Sequence, residues 1–273
     1  MPSEHRGVDR ETRRRMSLVI ESIQNPKVKQ VLRWREKPAS RRKEGLCLVE
    51  GAREVERALL SGWELTACFE REGVDFGHPG MRMRSLACQA EVFEKMVVRQ
   101  RGVDVLGIFR TPQRTLADLT FPANPLILVL DGVEKPGNLG AILRTADAAG
   151  VDAVVLSSVQ CDAYSPESIR NSLGGIFHVP LVDATRTEVQ MWLDRNKIPV
   201  YQLHLQGSSS PYATDLTGSV AIVLGAEDTG LDGSWNMLPG GRLKLPMAGV
   251  VDSLNVSVTA GVILYEVLRQ RGR

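Results

Sequence analysis

The sequence predicts an α/β protein of two domains, the second built around a mostly parallel sheet. At 273 residues the chain exceeds one ordinary domain, and both halves contain apolar segments able to form a core. Residues 111–125 contain three prolines and no sustained periodicity, which predicts a linker. Beyond it, strand-like and helix-like segments alternate, which is typical of a parallel sheet covered by helices on both faces.

The first domain is predicted to span residues 17–110, after a flexible basic extension over residues 1–16. Apolar runs bounded by turn residues predict its strands, and apolar residues at a helical period predict its helices. In chain order, we expect a helix over 17–35, a basic loop over 37–45, a strand over 46–51, a helix over 52–62 and a strand over 65–69. The segments MRMRSL, QAEVFEKMV and VDVLGIF continue this α/β alternation.

The second domain, residues 126–273, is predicted to contain six strands with helical stretches between most of them. Each strand is a short apolar run bounded by turn residues. The runs cover residues 126–130, 153–157, 177–182, 199–203, 220–224 and 243–245.

Composition excludes several classes of protein. No apolar run approaches the roughly 20 residues that span a bilayer, and no apolar core of a signal peptide follows the arginine-rich start. The four cysteines include no Cys-x-x-Cys pair, so neither a zinc site nor a disulfide framework is indicated. We therefore expect a cytoplasmic protein with no metal and no membrane partner.

The start of the chain is strongly basic. Residues 1–45 hold 13 Lys or Arg against 6 Asp or Glu, although the whole chain carries only +2. Basic clusters bind RNA because phosphate neutralisation releases counterions, and an aromatic such as Trp34 can stack on a base. A solvated basic surface is the alternative interpretation. The residues we expect to bind RNA are Lys27, Lys29, Arg33, Arg41, Arg42, Lys43 and Arg53.

The first of three polar motifs is LILVLDGVEKPGNLGAILRTADAAG, residues 126–150. An apolar strand leads through a turn to a helix for which Asn138 is the predicted N-cap and Gly150 the C′ residue. Arg144 lies about 9 Å further along the helix axis, and helix side chains lean toward the N-terminus. A strand end, free helix N–H groups and a cation would then meet, which suits a phosphate or ribose. An ordinary cap beside a surface arginine is the alternative.

The second motif, VAIVLGAEDTGL (220–231), is an apolar strand followed by a loop with Gly225, Glu227 and Gly230. It lacks the glycine spacing of a dinucleotide site and the lysine of a P-loop. Ligands of open α/β sheets bind in such loops, but a plain strand-to-helix turn explains it equally well.

The third motif, residues 243–273, runs from a short strand to a long apolar helix with polar residues at its start. A Ser253 cap followed by Asn255 and Ser257 would place donors and acceptors beside free backbone amides. That arrangement suits a polar small molecule, and a well-capped core helix is the alternative.

In this order and at this separation, the three motifs closely resemble those of the SpoU, or TrmH, family of RNA ribose 2′-O-methyltransferases in the SPOUT superfamily. NPKVKQVLRWREK and GLCLVEGAREVERALLSG also resemble the substrate-binding domain of many members. The resemblance implies a SPOUT fold with a C-terminal deep trefoil knot, an L30e-like first domain, and a homodimer through the methyltransferase domain. It implies S-adenosyl-L-methionine as cofactor and RNA as substrate.

The resemblance also implies roles for individual residues. Those matching the family's catalytic positions are Arg144, Asn138, Glu227, Ser253 and Asn255. Those matching cofactor-binding positions are Leu203, Gly225, Leu245, Leu254 and Asn255. The segment YSPESIRNSLGGIF, which contains Asn171, Ser172 and Gly174, resembles a further segment near the family's site.

The expected reaction is methyl transfer to a ribose 2′-hydroxyl, with 23S ribosomal RNA favoured over tRNA as the substrate. In the family, Arg144 is the usual candidate for removing the hydroxyl proton. Arginine holds its own proton above pH values of about 12, so orientation and charge stabilisation suit it better, and its role as base stays open. A non-catalytic RNA-binding or ribosome-assembly protein is the rival class, and methyl transfer from S-adenosylmethionine to RNA discriminates the two.

Overall fold

Two separate sheets organise the chain. The structure is a computed structural model that describes residues 19–77, 85–99, 102–226, 230–231 and 233–272. It divides into a first unit, Met1–Pro112 with Tyr164–Pro166, and a second unit, Gln113–Ala163 with Glu167–Arg273. Within the described ranges, no helix is both long enough and apolar enough to cross a membrane.

The elements of the first unit are α1 (Pro26–Glu36), α2 (Pro38–Lys43), β1 (Leu46–Glu50), α3 (Ala52–Leu60), β2 (Leu65–Arg71), β3 (Ser85–Cys88), α4 (Ala90–Met96) and β4 (Val105–Arg110). The strands form a four-stranded mixed sheet in the order β1-β4-β2-β3. β4 pairs antiparallel with β1 and β2, and β3 pairs parallel with β2. Helices α1 and α4 contribute Trp34 and Phe93 to an apolar core that also includes Phe69 and Leu106.

The elements of the second unit are β5 (Leu126–Asp131), α5 (Pro136–Ala148), β6 (Ala153–Ser157), α6 (Pro166–Asn171), α7 (Gly175–His178), β7 (Leu181–Ala184), α8 (Arg186–Arg195), β8 (Val200–Leu203), β9 (Val220–Leu224), β10 (Gly240–Leu243) and α9 (Val256–Gln270). The strands form a six-stranded sheet in the order β10-β8-β9-β5-β6-β7, and every neighbouring pair is parallel. This confirms the predicted α/β class with a parallel sheet; the knot stays a prediction.

The strand order brings the three motifs to one edge of the second sheet. The turn of the first motif follows β5 and the loop of the second motif follows β9, and these two strands are direct neighbours in the sheet. β8 pairs with the other side of β9 and with β10, whose last residue, Leu243, begins the third motif. Because parallel strands end at the same edge, the segments that follow them start side by side.

Two predicted segments in the second unit were wrong in position. The strand expected over 177–182 begins only at Leu181, because α7 occupies Gly175–His178 and Pro180 cannot donate a ladder hydrogen bond. The last strand is Gly240–Leu243 rather than 243–245. This strand pairs in register with β8, so that Leu243 lies opposite Leu203, the last residue of β8. Pairing with β8 therefore determines where the strand ends.

In the first unit, the predicted basic loop over 37–45 is mostly helix α2. Pro38 stands at the start of this helix, where a missing N–H costs nothing. Proline thus starts a helix here, whereas the polar composition of the segment had indicated a loop.

Candidate active site

A side-chain hydrogen bond joins the first motif to the third. Nδ2 of Asn255 donates to Oδ1 of Asn138 over 3.2 Å, although the two residues are 117 positions apart. Asn255 immediately precedes α9, Asn138 lies in the first turn of α5, and these two helices pack against each other. The contact places two residues predicted to be catalytic side by side.

Asn255, rather than the predicted Ser253, caps helix α9. Its Oδ1 accepts from the backbone N–H of Ser257 at 2.9 Å and from the Ser257 hydroxyl at 2.6 Å. Asn and Ser are equally good caps, so the sequence alone did not decide between them. Ser253 is exposed, and its hydroxyl lies 3.5 Å from Asp252 Oδ1.

The start of helix α5 also differs from the prediction. The helix begins at Pro136 after the N-cap residue Lys135, so Asn138 is its third residue rather than its cap. Proline favours the first helical position because its fixed φ suits the helix and its missing N–H has no partner there. Asn138 therefore directs its carbonyl oxygen to Asn255 instead of to its own helix end.

The other end of α5 is as predicted. Gly150 has a φ of +63° after the cap residue Ala149. The N–H of Val151 bonds the carbonyl of Ala146 and the N–H of Gly150 bonds that of Asp147, which is a Schellman motif.

Close backbone approaches hold α5 against the segment 168–175. A Cβ added at Gly140 would lie 2.5 Å from the Ser168 carbonyl oxygen and 2.6 Å from the Asn171 Cβ. A Cβ added at Gly175 would lie 2.8 Å from the Leu143 carbonyl oxygen. These contacts place Asn171, Ser172 and Gly174, which were predicted to lie near the site, along the helix that bears Asn138.

Arg144 lies further along α5 with an exposed side chain. Its Cα packs 3.2 Å from the position that a Cβ would take at Gly175. Within the part of the chain that the structure describes, its guanidinium forms no hydrogen bond or ion pair. The backbone of Arg144 is therefore fixed while its charged group faces solvent.

The predicted cofactor residues lie at the carboxyl edge of neighbouring strands. Leu203 ends β8, Gly225 directly follows β9, and Leu245 lies two residues beyond β10. Leu245 is buried and Leu254, beside Asn255, is 39% exposed. Backbone strand ends with apolar side chains beside them suit a nucleoside such as that of S-adenosylmethionine.

Gly225 is required by a close approach inside the second motif. A Cβ there would lie 2.5 Å from the backbone of Gly230 and 2.8 Å from the nitrogen of Leu231. The N–H of Gly230 also bonds the carbonyl of Ala226 at 3.1 Å, which closes the loop at its base. Glu227, predicted to be catalytic, lies outside the described residues.

One buried polar group at this edge was missed from the sequence. Asp131, the last residue of β5, is 3% exposed and accepts from Trp235 Nε1 at 2.8 Å. Arg186 forms an ion pair with the same oxygen at 3.0 Å. A carboxylate that ends the apolar run LILVL was a usable signal, because a strand's carboxyl end faces ligands and loops.

Neither cysteine chemistry nor a metal site is indicated near these residues. Burial raises the pKa of the Cys161 thiol to about 11, so it stays protonated at neutral pH. Over the described ranges, no three His, Cys, Asp or Glu side chains are grouped so that they could hold a metal ion.

In the first unit, most of the predicted RNA-binding residues are exposed. Arg41 is the exception: it is 2% exposed, so its guanidinium cannot reach a phosphate, and we remove it from the RNA-binding set. Trp34 packs in the core at 7% exposure, so its ring is not accessible for stacking on a base. Arg53 is exposed and paired with Glu54 at 2.9 Å. The remaining exposed residues are Lys27, Lys29, Arg33, Arg42 and Lys43.

Two family models match the chain. The SpoU rRNA Methylase family matches residues 125–265. The MRM3-like substrate binding domain matches residues 25–117.

Named relatives extend these matches. The chain is 30% identical over 252 residues to the 23S rRNA (guanosine(2553)-2′-O)-methyltransferase RlmP of Bacillus subtilis, covering 90% of this chain and 97% of the relative. It is 39% identical over 155 residues to the 23S rRNA (guanosine-2′-O-)-methyltransferase RlmB of Haemophilus ducreyi. That second match covers 56% of this chain and only 63% of the relative.

A solved structure is similar across both units. The SpoU methyltransferase AviRb from Streptomyces viridochromogenes, in complex with the cofactor AdoMet, superposes with a TM-score of 0.84 at 26% identity. The match covers 91% of this chain and 98% of AviRb.

Proposed function

The chain belongs to the SpoU rRNA methylase family, and from this premise we propose that it transfers a methyl group from S-adenosylmethionine to a ribose 2′-hydroxyl of 23S rRNA. The observation that carries the proposal is the Asn255–Asn138 hydrogen bond, because it joins two motifs that are distant in sequence into one site. Ribosomal RNA is favoured over tRNA because the Bacillus subtilis relative, named for 23S rRNA, matches along 90% of this chain. Such a substrate would place the protein in the cytoplasm.

The residues that would hold the cofactor at the strand ends are Leu203, Gly225, Leu245 and Leu254. Asn255 contributes from the start of α9. When bound, S-adenosylmethionine supplies a methyl group on a positively charged sulfur, which already makes that carbon electrophilic.

The protein's own contribution is alignment of the attacking oxygen. Arg144 orients the ribose hydroxyl and stabilises the charge that develops on its oxygen, with its backbone fixed against Gly175. We assign it no proton removal, because arginine keeps its proton up to pH values of about 12. The hydroxyl proton would pass to solvent water, and S-adenosylhomocysteine would be the other product. Asn138 and Asn255 fix the relative position of the two helices, and Glu227 and Ser253 remain further candidates for contact with the substrate.

The direct test is methyl transfer from labelled S-adenosylmethionine to 23S rRNA. Arg144→Ala should keep the thermal midpoint and the affinity for S-adenosylmethionine, while the rate falls by about 10²- to 10³-fold. Arg195→Ala, which removes another exposed arginine in the second unit, is the matched control and should keep its rate. Near-normal turnover of Arg144→Ala would refute its role, and no transfer by the unaltered protein would favour the rival RNA-binding or ribosome-assembly class.

The proposed homodimer would form through the methyltransferase domain. Helix α9 has an exposed apolar face with Val258 at 51% and Tyr265 at 53% exposure, seven residues apart on one side of the helix. Exposed apolar faces of this kind are typical of subunit interfaces. Val258→Asp should yield a monomer by light scattering, and Met191→Asp, which alters the equally exposed Met191 on α8, should leave the dimer intact. A protein that is monomeric without substitution would contradict this assignment.

Unit one is proposed to bind RNA through its exposed basic residues. Lys29 and Arg33 lie four positions apart on α1, so they share one face, and Arg42 and Lys43 follow on α2. These groups would hold phosphates without reading sequence.

A further inference from the structure

The short 3₁₀ helix Gly233–Met237, here called the Trp235 turn, is bonded to the first-motif strand. The indole N–H of Trp235 donates to Oδ2 of Asp131 at 2.8 Å, and the Trp235 side chain is fully buried. Asp131 Oδ1 has no hydrogen-bond partner among the residues that the structure describes. The buried carboxylate therefore depends on Trp235 and Arg186, because an ionised group away from water is costly unless it is paired.

The next residue bonds the same turn to the two other strands. Oδ1 of Asn236 accepts from Gln202 Nε2 at 3.2 Å and from Arg242 Nε at 2.9 Å. Gln202 lies on β8 beside Leu203, and Arg242 lies on β10, which leads to the third motif. Two consecutive side chains thus fasten the Trp235 turn to β5, β8 and β10.

The base of the second-motif loop, formed by Gly225, Ala226, Gly230 and Leu231, comes just before the Trp235 turn in the chain. Leu231 is 6% exposed and belongs to the same apolar cluster as Trp235. Its nitrogen lies against Gly225, and Gly230 is bonded to Ala226. Where the chain leaves this base, only residue 232 separates Leu231 from the Trp235 turn, so displacement of the turn would be transmitted directly to Gly225.

We propose that Trp235 and Asn236 are positioning residues for cofactor binding: by bonding Asp131, Gln202 and Arg242 they hold the base of the second-motif loop, and with it Gly225, in the shape that accepts S-adenosylmethionine. The inference rests on the proposed function and deepens it. In this assignment both residues act through Gly225 and not by contact with the cofactor.

The expected consequence is a loss of affinity for the cofactor. Without its anchors, the loop base occupies its binding shape for only part of the time, and the apparent dissociation constant rises by the inverse of that fraction. Bound cofactor restores the shape, so KM for S-adenosylmethionine should rise while kcat at saturation is retained.

The test compares two tryptophans of one core. Trp235→Phe removes the N–H but keeps an aromatic ring, and should raise the dissociation constant for S-adenosylmethionine, measured by calorimetry, about five- to tenfold. Trp192→Phe makes the same chemical change at a residue of α8 that packs on the same apolar cluster, where its ring contacts Phe121. It should leave the dissociation constant within about twofold, even where both variants lower the thermal midpoint.

A second variant keeps the test independent of core packing. Asn236 is exposed, so Asn236→Ala should fold normally and raise the dissociation constant by about two- to threefold. Unchanged affinity in both Trp235→Phe and Asn236→Ala, or equal losses in Trp235→Phe and Trp192→Phe, would overturn the inference while leaving the proposed function intact. An unaltered protein that binds no S-adenosylmethionine would overturn both.

Discussion

The two units use polar residues in opposite ways. In the second unit, Asn138 and Asn255 are bonded to each other, so each depends on the exact position of the other. In the first unit, Lys29, Arg33 and Lys43 stand exposed on helices α1 and α2 as separate charges. Substitutions at the bonded pair should therefore lower methyl transfer by a large factor that does not depend on salt concentration. Substitutions of the separate charges should lower RNA affinity by moderate, additive factors that disappear at high salt.

The largest effect is expected at Asn255. Asn255→Ala removes both the helix cap and the bond to Asn138, so methyl transfer should fall by at least about 10²-fold and the protein should lose about 1 kcal/mol of stability. Asn255→Asp keeps an oxygen for the cap but removes the Nδ2 donor, and should therefore retain stability while losing activity. If Asn255→Asp were as active as the unaltered protein, the bonded pair would have no part in catalysis.

A smaller effect, on stability, is expected from the packing of α5. Gly140→Ala would force a Cβ to within 2.5 Å of the Ser168 carbonyl oxygen, which should cost about 1–3 kcal/mol in chemical unfolding. Gly261→Ala is the matched control, since its nearest neighbouring atom would be 3.9 Å away. That change in mid-helix should instead stabilise the protein by about 0.5–1 kcal/mol. Equal stability of the two variants would refute the tight contact.

In the first unit, removal of exposed charge should weaken RNA binding in a salt-dependent manner. The combined change Lys29→Gln, Arg33→Gln, Arg42→Gln and Lys43→Gln should lower affinity about tenfold at low salt and flatten the dependence of affinity on salt concentration. Lys95→Gln, at an exposed lysine on α4, is a control for a change of one charge. Unchanged binding across several salt concentrations would remove α1 and α2 from the RNA-binding surface.

The smallest effect concerns pH and the end of helix α9. Hydrogen bonds from Arg269 and Gln270 lower the pKa of Glu266 to about 2, against an ordinary 4.5. Because the folded-state pKa is depressed, this carboxylate stabilises the fold fully above about pH 4.5, and the contribution is lost as pH falls toward 2. Glu266→Gln should therefore destabilise the protein more at pH 7 than at pH 3. An equal loss at both values would contradict the shift.

Much of the second sheet could be predicted because its strands are continuous apolar runs. The strand over 220–224 was predicted with its observed bounds, and the one over 126–130 was one residue short. The last strand was misplaced because pairing with β8, a contact between distant segments, determines its position. Local pattern contains no information about such pairing.

The sequence predicted which residues belong to the candidate site, but not which of them contact each other. Asn138 and Asn255 were chosen from their motifs, yet their mutual bond depends on the packing of two helices. The burial of Arg41 and the bond from Trp235 to Asp131 are likewise tertiary properties. The sequence could have singled out Asp131 at a strand end, but it could not indicate its partner. The roles of the site residues stay predictions until they are measured.

The most direct test of whether the three motifs form one site is a crystal structure of the protein with S-adenosylmethionine bound. We expect the cofactor at the carboxyl edge of the second sheet, in contact with Leu203, Gly225, Leu245 and Leu254, with its methyl carbon facing the side of α5 that carries Arg144. A cofactor bound elsewhere, or one touching only one of the three motif segments, would contradict the account.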